Sequence, residues 1–196
     1  LSGSYISEYP VTFHTILFDE AIEGKLDFKV KASRSIQEQT YPRFESKAEK
    51  LVLVNIFPNM DFVGGIVVKG SKLSGTSIGD TPGYLKIYNN DTLFVRCFVD
   101  EMLFMREGLS ATKSTISIYL DKDSIYHPNI AVRYDDIGKR LRVVRDEEGV
   151  GLQAFSDSYH KIDFHVEALT WEIGGRTVDL GAIVPSSRAL GVFRSY

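Results

Sequence analysis

The chain has little cysteine: Cys97 is the only one among 196 residues. A single thiol cannot close an internal disulfide, so the sequence excludes a small secreted scaffold held together by disulfide bridges. Cys97 alternates with Val95 and Val99 on an apolar face, which indicates a small buried side chain rather than a nucleophile.

The chain also lacks a long apolar run and an excess of positive charge. No stretch approaches the roughly 20 apolar residues of a membrane-spanning helix, because Lys, Asp or Gly interrupts each run. Lysines and arginines number 23 against 26 acidic residues, and both signs are spread along the chain. We therefore expect no transmembrane segment, and no nucleic acid among the partners, since phosphate backbones require a basic surface.

Signatures of cofactor binding are missing as well. The sequence contains no phosphate loop, no dinucleotide fingerprint and no paired-cysteine metal motif, so we expect no cofactor. A pair of carboxylates could hydrolyse a glycosidic bond, but a chain with 26 acidic residues always offers some pair. Only the distance between two carboxylates in the structure would distinguish a catalytic pair from a coincidental one.

Alternation of apolar and polar residues dominates the rest of the sequence. Residues 115–144 hold three alternating runs, and further short runs separated by turn residues extend from residue 51 to residue 184. This pattern is typical of antiparallel sheets that bury one face. The sequence predicts an all-β protein, an antiparallel β-sandwich or jelly roll of about ten strands. The alternative is a segment of a β-solenoid.

Polar stretches suggest how the chain is divided. Residues 33–42 have no apolar period and end in Pro42, so we expect an N-terminal β ribbon and linker over residues 1–42. The main all-β domain then spans residues 43–196, although one continuous domain is also compatible with the pattern. Residues 70–83, rich in Gly, Ser and Thr, are predicted to form a loop.

Several short features make sharper predictions. Gly64 and Gly65 interrupt an apolar run, which predicts a bulge or the close approach of another backbone. The parity of the apolar residues flips between Val166 and Leu169, which predicts a bulge near Glu167 or Ala168. Turns are predicted at residues 58–59, 89–91, 135–138 and 174–175.

Two groups of side chains suggest metal ligands. His160, Asp163 and His165 combine imidazole and carboxylate groups, but on a strand His160 takes the parity opposite to the other two. A polar, solvated sheet face is the simpler interpretation. Asp121 and Asp123, with the acidic pair at residues 135–136, could bind calcium, yet carboxylates that cap their own turns explain them more simply.

Aromatic side chains are the best candidates for binding, because rings on an exposed sheet face can stack on sugars. Trp171 has the parity of Leu169 and Ile173, which favours a core position. Tyr119 lies opposite to its apolar neighbours and is expected to be exposed. The candidate binding residues are Tyr119, Tyr126, His127 and Trp171, and further tyrosines are Tyr84, Tyr88 and Tyr134.

Four passages resemble segments of very large all-β bacterial proteins that have no assigned activity. They read YPRFES, FPNMDFVGG with a following VKG, DSIYHPNI and DSYHKIDFHVEALTW. The resemblance implies no site residues. It does imply a piece of a long chain, exported or associated with the cell envelope rather than cytoplasmic.

Three hypotheses for function follow. The first is a non-catalytic structural or interaction module, whose partner is the rest of a larger polypeptide or another protein. The second is a carbohydrate-binding module that uses exposed aromatic side chains, with a glycan as partner. The third is a hydrolase with a carboxylate pair.

Overall fold

The computed structural model describes residues 4–15, 18–29, 40–47, 50–145, 153–181 and 192–195, and every regular element in these ranges is a β-strand. The described part of the chain accordingly holds no helix with the length and apolarity to cross a membrane. The strands are β1 Ser4–Thr15, β2 Phe18–Lys29, β3 Arg43–Ser46, β4 Leu51–Phe57, β5 Met60–Lys69, β6 Lys72–Thr76, β7 Gly83–Asn89, β8 Thr92–Val99, β9 Glu101–Met105, β10 Gly108–Leu120, β11 Asp123–Asp135, β12 Arg140–Arg145, β13 Phe155–Asp157, β14 Ile162–His165, β15 Ala168–Glu172, β16 Val178–Gly181 and β17 Val192–Ser195.

The 17 described strands pair in antiparallel fashion into one hydrogen-bonded network, which divides into two sheets that share three strands. Sheet I runs in the order β1-β2-β3-β5-β6-β9-β10-β11-β12-β15-β16. Sheet II runs in the order β4-β5-β7-β8-β10-β11-β13-β14-β17. Strands β5, β10 and β11 belong to both sheets, which is how corners are made in sandwiches whose strands change sheets. The predicted all-β, sandwich-like fold is confirmed, although the described residues hold 17 strands rather than about ten. The antiparallel pairing differs from the stacked coils of a solenoid.

Strand β5 changes sheets at its glycine pair. Residues 60–63 pair with β7 in sheet II, whereas residues 65–69 pair with β6 in sheet I. A Cβ atom on Gly64 would lie 2.5 Å from the carbonyl oxygen of Thr76, and no side chain fits at that distance. The predicted close approach of another backbone is therefore confirmed at Gly64.

Strands β10 and β11 change sheets together. Residues 108–110 of β10 pair with β9, and residues 114–118 pair with β8. Along β11, residues 125–126 pair with β13 and residues 130–135 with β12. The register between β10 and β11 shifts on both sides of Ser114, so irregular pairing marks this corner.

The core lies between the sheets. Aromatic contacts join them: the ring centres of Phe62 and Phe104 are 5.2 Å apart, and those of Phe94 and Trp171 are 4.3 Å apart. Burying each large apolar side chain stabilises the fold by about 1.5–3 kcal/mol. The most completely buried side chains include Leu53, Met60, Ile66, Leu85, Ile87, Met102, Leu109, Ile116 and Ile130.

The prediction of a loop over residues 70–83 is wrong in part, because β6 occupies Lys72–Thr76. The small residues there answer a packing requirement. A Cβ atom on Gly75 would lie 2.4 Å from the ring of Phe62 and 2.8 Å from the ring of Phe104. The small residues of β6 leave room for the rings of Phe62 and Phe104. Composition alone does not distinguish a strand of small residues from a loop.

The predicted bulge near Glu167 or Ala168 is also wrong. Strand β14 ends at His165 and pairs in sheet II, whereas β15 begins at Ala168 and pairs in sheet I. The apolar parity flips because the chain passes from one sheet to the other, so two separate strands account for the pattern.

The predicted turns are confirmed by backbone angles. Asn90 and Asp91 both have positive φ, 49° and 62°, as the tight hairpin between β7 and β8 requires. Asn59 and Gly174 also have positive φ within their turns. Most of the predicted linker, residues 33–39, lies outside the described residues. Strand β2 pairs with β3, so the first hairpin is continuous with sheet I, and the division into two domains stays a prediction.

Candidate functional site

Trp171 lies in the core rather than on a binding surface. Its side chain is 3% exposed, its ring packs on Phe94, and Nε1 donates a hydrogen bond of 3.0 Å to the carbonyl oxygen of Gly175. The indole N–H is thus satisfied within its own hairpin. The core position favoured by the parity of Trp171 is confirmed.

His127 is fully buried on the inner face of sheet II. Its Nδ1 accepts a hydrogen bond from the backbone N–H of Asn129 at 3.2 Å, so the proton resides on Nε2, which donates to the carbonyl oxygen of Gln153 at 3.0 Å. Burial lowers the pKa of the imidazole from its ordinary value, with nearby Arg145 also lowering it, and these hydrogen bonds offset part of the effect. The arrangement holds β11 against the segment before β13 and does not present the ring to a surface ligand.

Tyr126 and Tyr119 lie on the outer face of sheet II. Tyr126 is 41% exposed and stands between Ser117 of β10 and Ser156 of β13 in the cross-strand register. Tyr119 pairs with Ser124 and is half-buried, which is less exposure than its parity predicts. These two tyrosines are the predicted binding residues that remain accessible.

The weak metal candidates do not converge. His160 lies in the turn after β13, where its Nδ1 is 2.7 Å from the Asp157 carboxylate. Asp163 lies on β14, paired with Ser156 and Arg194, and His165 lies two residues further along the same face. Within the described ranges, no three His, Cys, Asp or Glu side chains are placed to hold a metal ion.

The acidic residues of the β10–β11 and β11–β12 connections stabilise the turns in which they lie. The Asp135 carboxylate accepts hydrogen bonds from the backbone N–H groups of Ile137 and Gly138, each at 3.2 Å. Asp123 accepts a 2.8 Å bond from the hydroxyl of Ser158, and Asp121 has a positive φ of 61° within its two-residue turn. The interpretation as turn carboxylates is confirmed for Asp135.

The structure groups three cations around one tyrosine on the outer face of sheet II. The Lys50 and Lys86 ammonium nitrogens lie 5.3 and 5.7 Å from the centre of the Tyr84 ring, and the Arg96 guanidinium carbon lies 5.9 Å from it. We call these four residues the cation cluster. Each cation–ring contact contributes on the order of 0.5–1 kcal/mol at an exposed site. Lys86 and Arg96 face each other across β7 and β8, so strand register brings them together.

One carboxylate lies near the cation cluster: Asp61 stands directly opposite Lys86 in the pairing of β5 with β7, and it accepts a hydrogen bond of 3.0 Å from the backbone N–H of Asn55. Among the described residues, no carboxylate forms a salt bridge with Lys50, Lys86 or Arg96. On the outer face of sheet I, by contrast, Lys69 pairs with Glu101 at 3.0 Å, and Arg43 pairs with Glu45 at 3.2 Å. The two outer faces therefore differ in how their cations are neutralised.

A cleft adjoins the cation cluster. It has a volume of about 500 Å³, and we call it the Pro82 cleft; its lining residues are Pro82, Phe98, Val99, Asp100, Lys113, Ser114, Thr115, Pro128 and Asn129. The Phe98 ring connects it to the cation cluster, since its centre is 5.5 Å from that of Tyr84. A smaller recess of about 170 Å³ shares Pro82 with the cleft and is lined in part by Lys50. Shared residues and the Tyr84–Phe98 contact thus connect the cleft, the recess and the cluster.

The Pro82 cleft holds one carboxylate, Asp100. Hydrolysis of a glycosidic bond needs two carboxyl groups about 5–10 Å apart. The cleft therefore does not supply the pair that the hydrolase hypothesis requires.

One segment has the residue pattern of a nucleophile elbow, since residues 75–79 read GTSIG. That elbow needs a strand, a sharp turn and a helix, whereas Ser77 follows β6 and donates its backbone N–H to the carbonyl oxygen of Asp100. No helix follows in the described chain, so the letters occur here without the geometry.

Sequence reasoning missed the cations of the cluster. The outward parity of Lys86 and Arg96 was visible, because each alternates with buried residues of its strand. Their proximity depends on the pairing of β7 with β8, and the approach of Lys50 depends on β4 and β5.

Compared with protein-family models, with curated proteins and with solved structures, the chain matches none.

Proposed function

We propose that this chain is a non-catalytic interaction module and that its binding surface is the outer face of sheet II. The observation that carries the proposal is the continuity of the cation cluster with the Pro82 cleft. Cationic, aromatic and hydrogen-bonding groups converge there on a concave surface, as they do in binding sites generally.

Strand pairing makes this surface rigid. A cross-strand row runs from Lys86 through Arg96 and Ser117 to Tyr126, with one residue on each of four hydrogen-bonded strands. Side chains on such a row keep their spacing, so a ligand meets them without first ordering a loop. A rigid surface of this kind favours a role in binding over a purely structural role between other parts of a larger protein.

The partner is another polypeptide segment or a glycan. Tyr126 adds an exposed ring at the far end of the row, and such rings stack on sugars as well as on protein side chains. The outer face of sheet I is a weaker surface for a partner, because its Lys69 and Arg43 already have acidic neighbours.

A photo-crosslinking amino acid tests the surface without assuming a ligand. Placed at Ser117, on the outer face of sheet II, it is expected to capture the partner in the cells that make this protein. The matched control is Ser110, half-buried on the same strand β10 but on the outer face of sheet I. Mass analysis of the adduct then distinguishes a peptide from a saccharide.

The outcomes are distinct. Adducts from position 117 that are absent or much weaker from position 110 support the proposal. Equal adducts from both positions, or adducts only from position 110, contradict it, because the binding surface would then lie elsewhere.

A further inference from the structure

We infer that the ligand of this surface is an acidic saccharide, a chain of sugars that carries uronic acid carboxylates. The inference rests on the function proposed above and names the class of partner. It comes from two different properties of the surface: the charge of the cation cluster and the lining of the Pro82 cleft.

The first property is an excess of positive charge in an acidic protein: three cations gather where one carboxylate, Asp61, stands opposite Lys86. The chain as a whole has a net charge of −3, yet Lys50, Lys86 and Arg96 gather around one ring without a salt bridge to a described carboxylate. Like charges held together repel one another, and an anion bound among them removes that repulsion. A carboxylate suits the site, because a guanidinium binds it with two parallel hydrogen bonds.

Arg96 adds a more specific indication. Its Nε is buried and has no hydrogen-bond partner in the described part of the chain. Buried polar atoms are normally satisfied, so the hydrogen-bonding capacity of this guanidinium is not fully used within the described chain. We place a ligand carboxylate at this guanidinium.

The second property is the mixed lining of the Pro82 cleft. Apolar surface from Pro82, Phe98 and Pro128 alternates with the polar residues Thr115 and Asn129. A sugar ring is amphipathic in the same way, with C–H faces for apolar contact and hydroxyls around its edge. Asp100 can accept hydrogen bonds from those hydroxyls, whereas it repels a ligand with dense negative charge such as a nucleic acid.

The size of the surface points to an oligosaccharide. Neighbouring strands are about 4.8 Å apart, so the row from Lys86 on β7 to Tyr126 on β11 spans roughly 14 Å across four strands. A single sugar does not bridge that distance. Carboxylates on one sugar and a stacked ring on another would use both ends of the row.

Calorimetric titration of the whole chain tests the inference with three uronate oligosaccharides: tetragalacturonate, an alginate tetramer and a hyaluronan tetramer. Each is compared with its methyl ester, which has the same sugars without the negative charge. We expect at least one acid to bind and its ester to bind at least tenfold more weakly. Raising the salt concentration should weaken binding of the acid, because salt screens exposed charges.

A pair of double variants locates the binding. Lys86→Gln with Arg96→Gln is expected to reduce affinity at least tenfold. Arg43→Gln with Lys69→Gln removes the same charge from the outer face of sheet I and should leave affinity within twofold of the parent. Circular dichroism and Trp171 emission of each double variant show whether it has folded.

Several results would overturn the inference. These are no binding of any of the three acids, equal binding of acid and ester, equal loss in both double variants, or tighter binding of polyglutamate or single-stranded DNA. If these tests fail while position 117 still captures a partner, the binding surface stands and only its ligand class is wrong.

Discussion

His127 is a residue whose imidazole contributes to the stability of the fold. In the folded chain burial keeps the ring neutral, with its pKa below the ordinary value near 6.5. Above that pH the ring is neutral in both states and adds no pH dependence. As the pH falls below 6.5, His127 binds a proton in the unfolded chain but not in the folded chain. The free energy of unfolding therefore decreases until the pH reaches the pKa of the folded state.

We therefore predict that replacing His127 with Leu reduces the loss of stability between about pH 7.5 and about pH 5.5. At the higher pH the variant should be less stable by about 2 kcal/mol, because the N–H of Asn129 and the carbonyl of Gln153 lose their partner. Urea unfolding at both pH values measures this. The other histidines are common to both proteins, and identical pH dependence would contradict the prediction.

Cys97 gives a second prediction for a single residue. Complete burial raises the pKa of its thiol to about 12, although the neighbouring Ser114 hydroxyl acts in the opposite direction. Only the thiolate reacts with disulfide reagents, so the native thiol should react about a thousandfold more slowly than the thiol of the unfolded chain. Ellman's reagent at about pH 8, with and without denaturant, measures both rates. Rapid reaction in the native state would show that the core opens readily.

Among the strands, β5 depends on a glycine at its change of sheet. A methyl group at Gly64 would lie 2.5 Å from a backbone oxygen that cannot move without disturbing β6. We predict that Gly64→Ala destabilises the protein by about 2 kcal/mol or more. Gly181→Ala, on strand β16 with no atom of the described residues within 4 Å of the added Cβ, should change stability little. Thermal unfolding of both variants distinguishes a packing effect from the general effect of removing a glycine.

In the hairpin between β7 and β8, we expect that introducing a glycine stabilises the protein. Asp91 has a φ of 62°, a conformation that glycine adopts without steric cost. Asp91→Gly creates the Asn-Gly pair that type I′ turns prefer, and should stabilise the protein by about 0.5 kcal/mol. The urea midpoint measures the change. A lower midpoint would mean that the Asp91 side chain contributes more than its backbone costs.

The strands and turns show where sequence reasoning succeeds. Alternation revealed the buried face of β8 and the core position of Trp171, because side-chain period is a local property. It failed at β6, where Gly75 makes room for rings from other strands, and at Glu167, where the chain changes sheets. These features depend on contacts between distant parts of the chain.

For the molecule as a whole, the shared strands couple the two sheets. Strands β5, β10 and β11 carry hydrogen bonds in both sheets, so neither sheet can lose its pairing alone. We predict a single unfolding transition. Emission of Trp171, the only tryptophan, reports on the contact between the sheets, because its ring packs on Phe94, whereas far-ultraviolet circular dichroism reports on all strands. The two urea curves should coincide, and separate midpoints would contradict the coupling.

The candidate surface was the least predictable part of the molecule. Sequence parity indicated exposed side chains such as Tyr126, but the cation cluster exists only because β4, β5, β7 and β8 align at Tyr84. Which aromatic residues meet which charges is decided by register across strands. A single sequence contains no direct record of that register.

The corner strands also bear on how fast the chain can fold. A strand confined to one sheet can correct a misaligned register locally, whereas a slip in β10 misaligns its partners in both sheets at once. Productive collapse must therefore wait for pairings between segments far apart in sequence, such as β6 with β9 and β12 with β15. Domains dominated by such pairings fold in milliseconds to seconds rather than microseconds. During that interval exposed β-strands are available to neighbouring chains, so dilution and low temperature should favour recovery of the native protein on refolding.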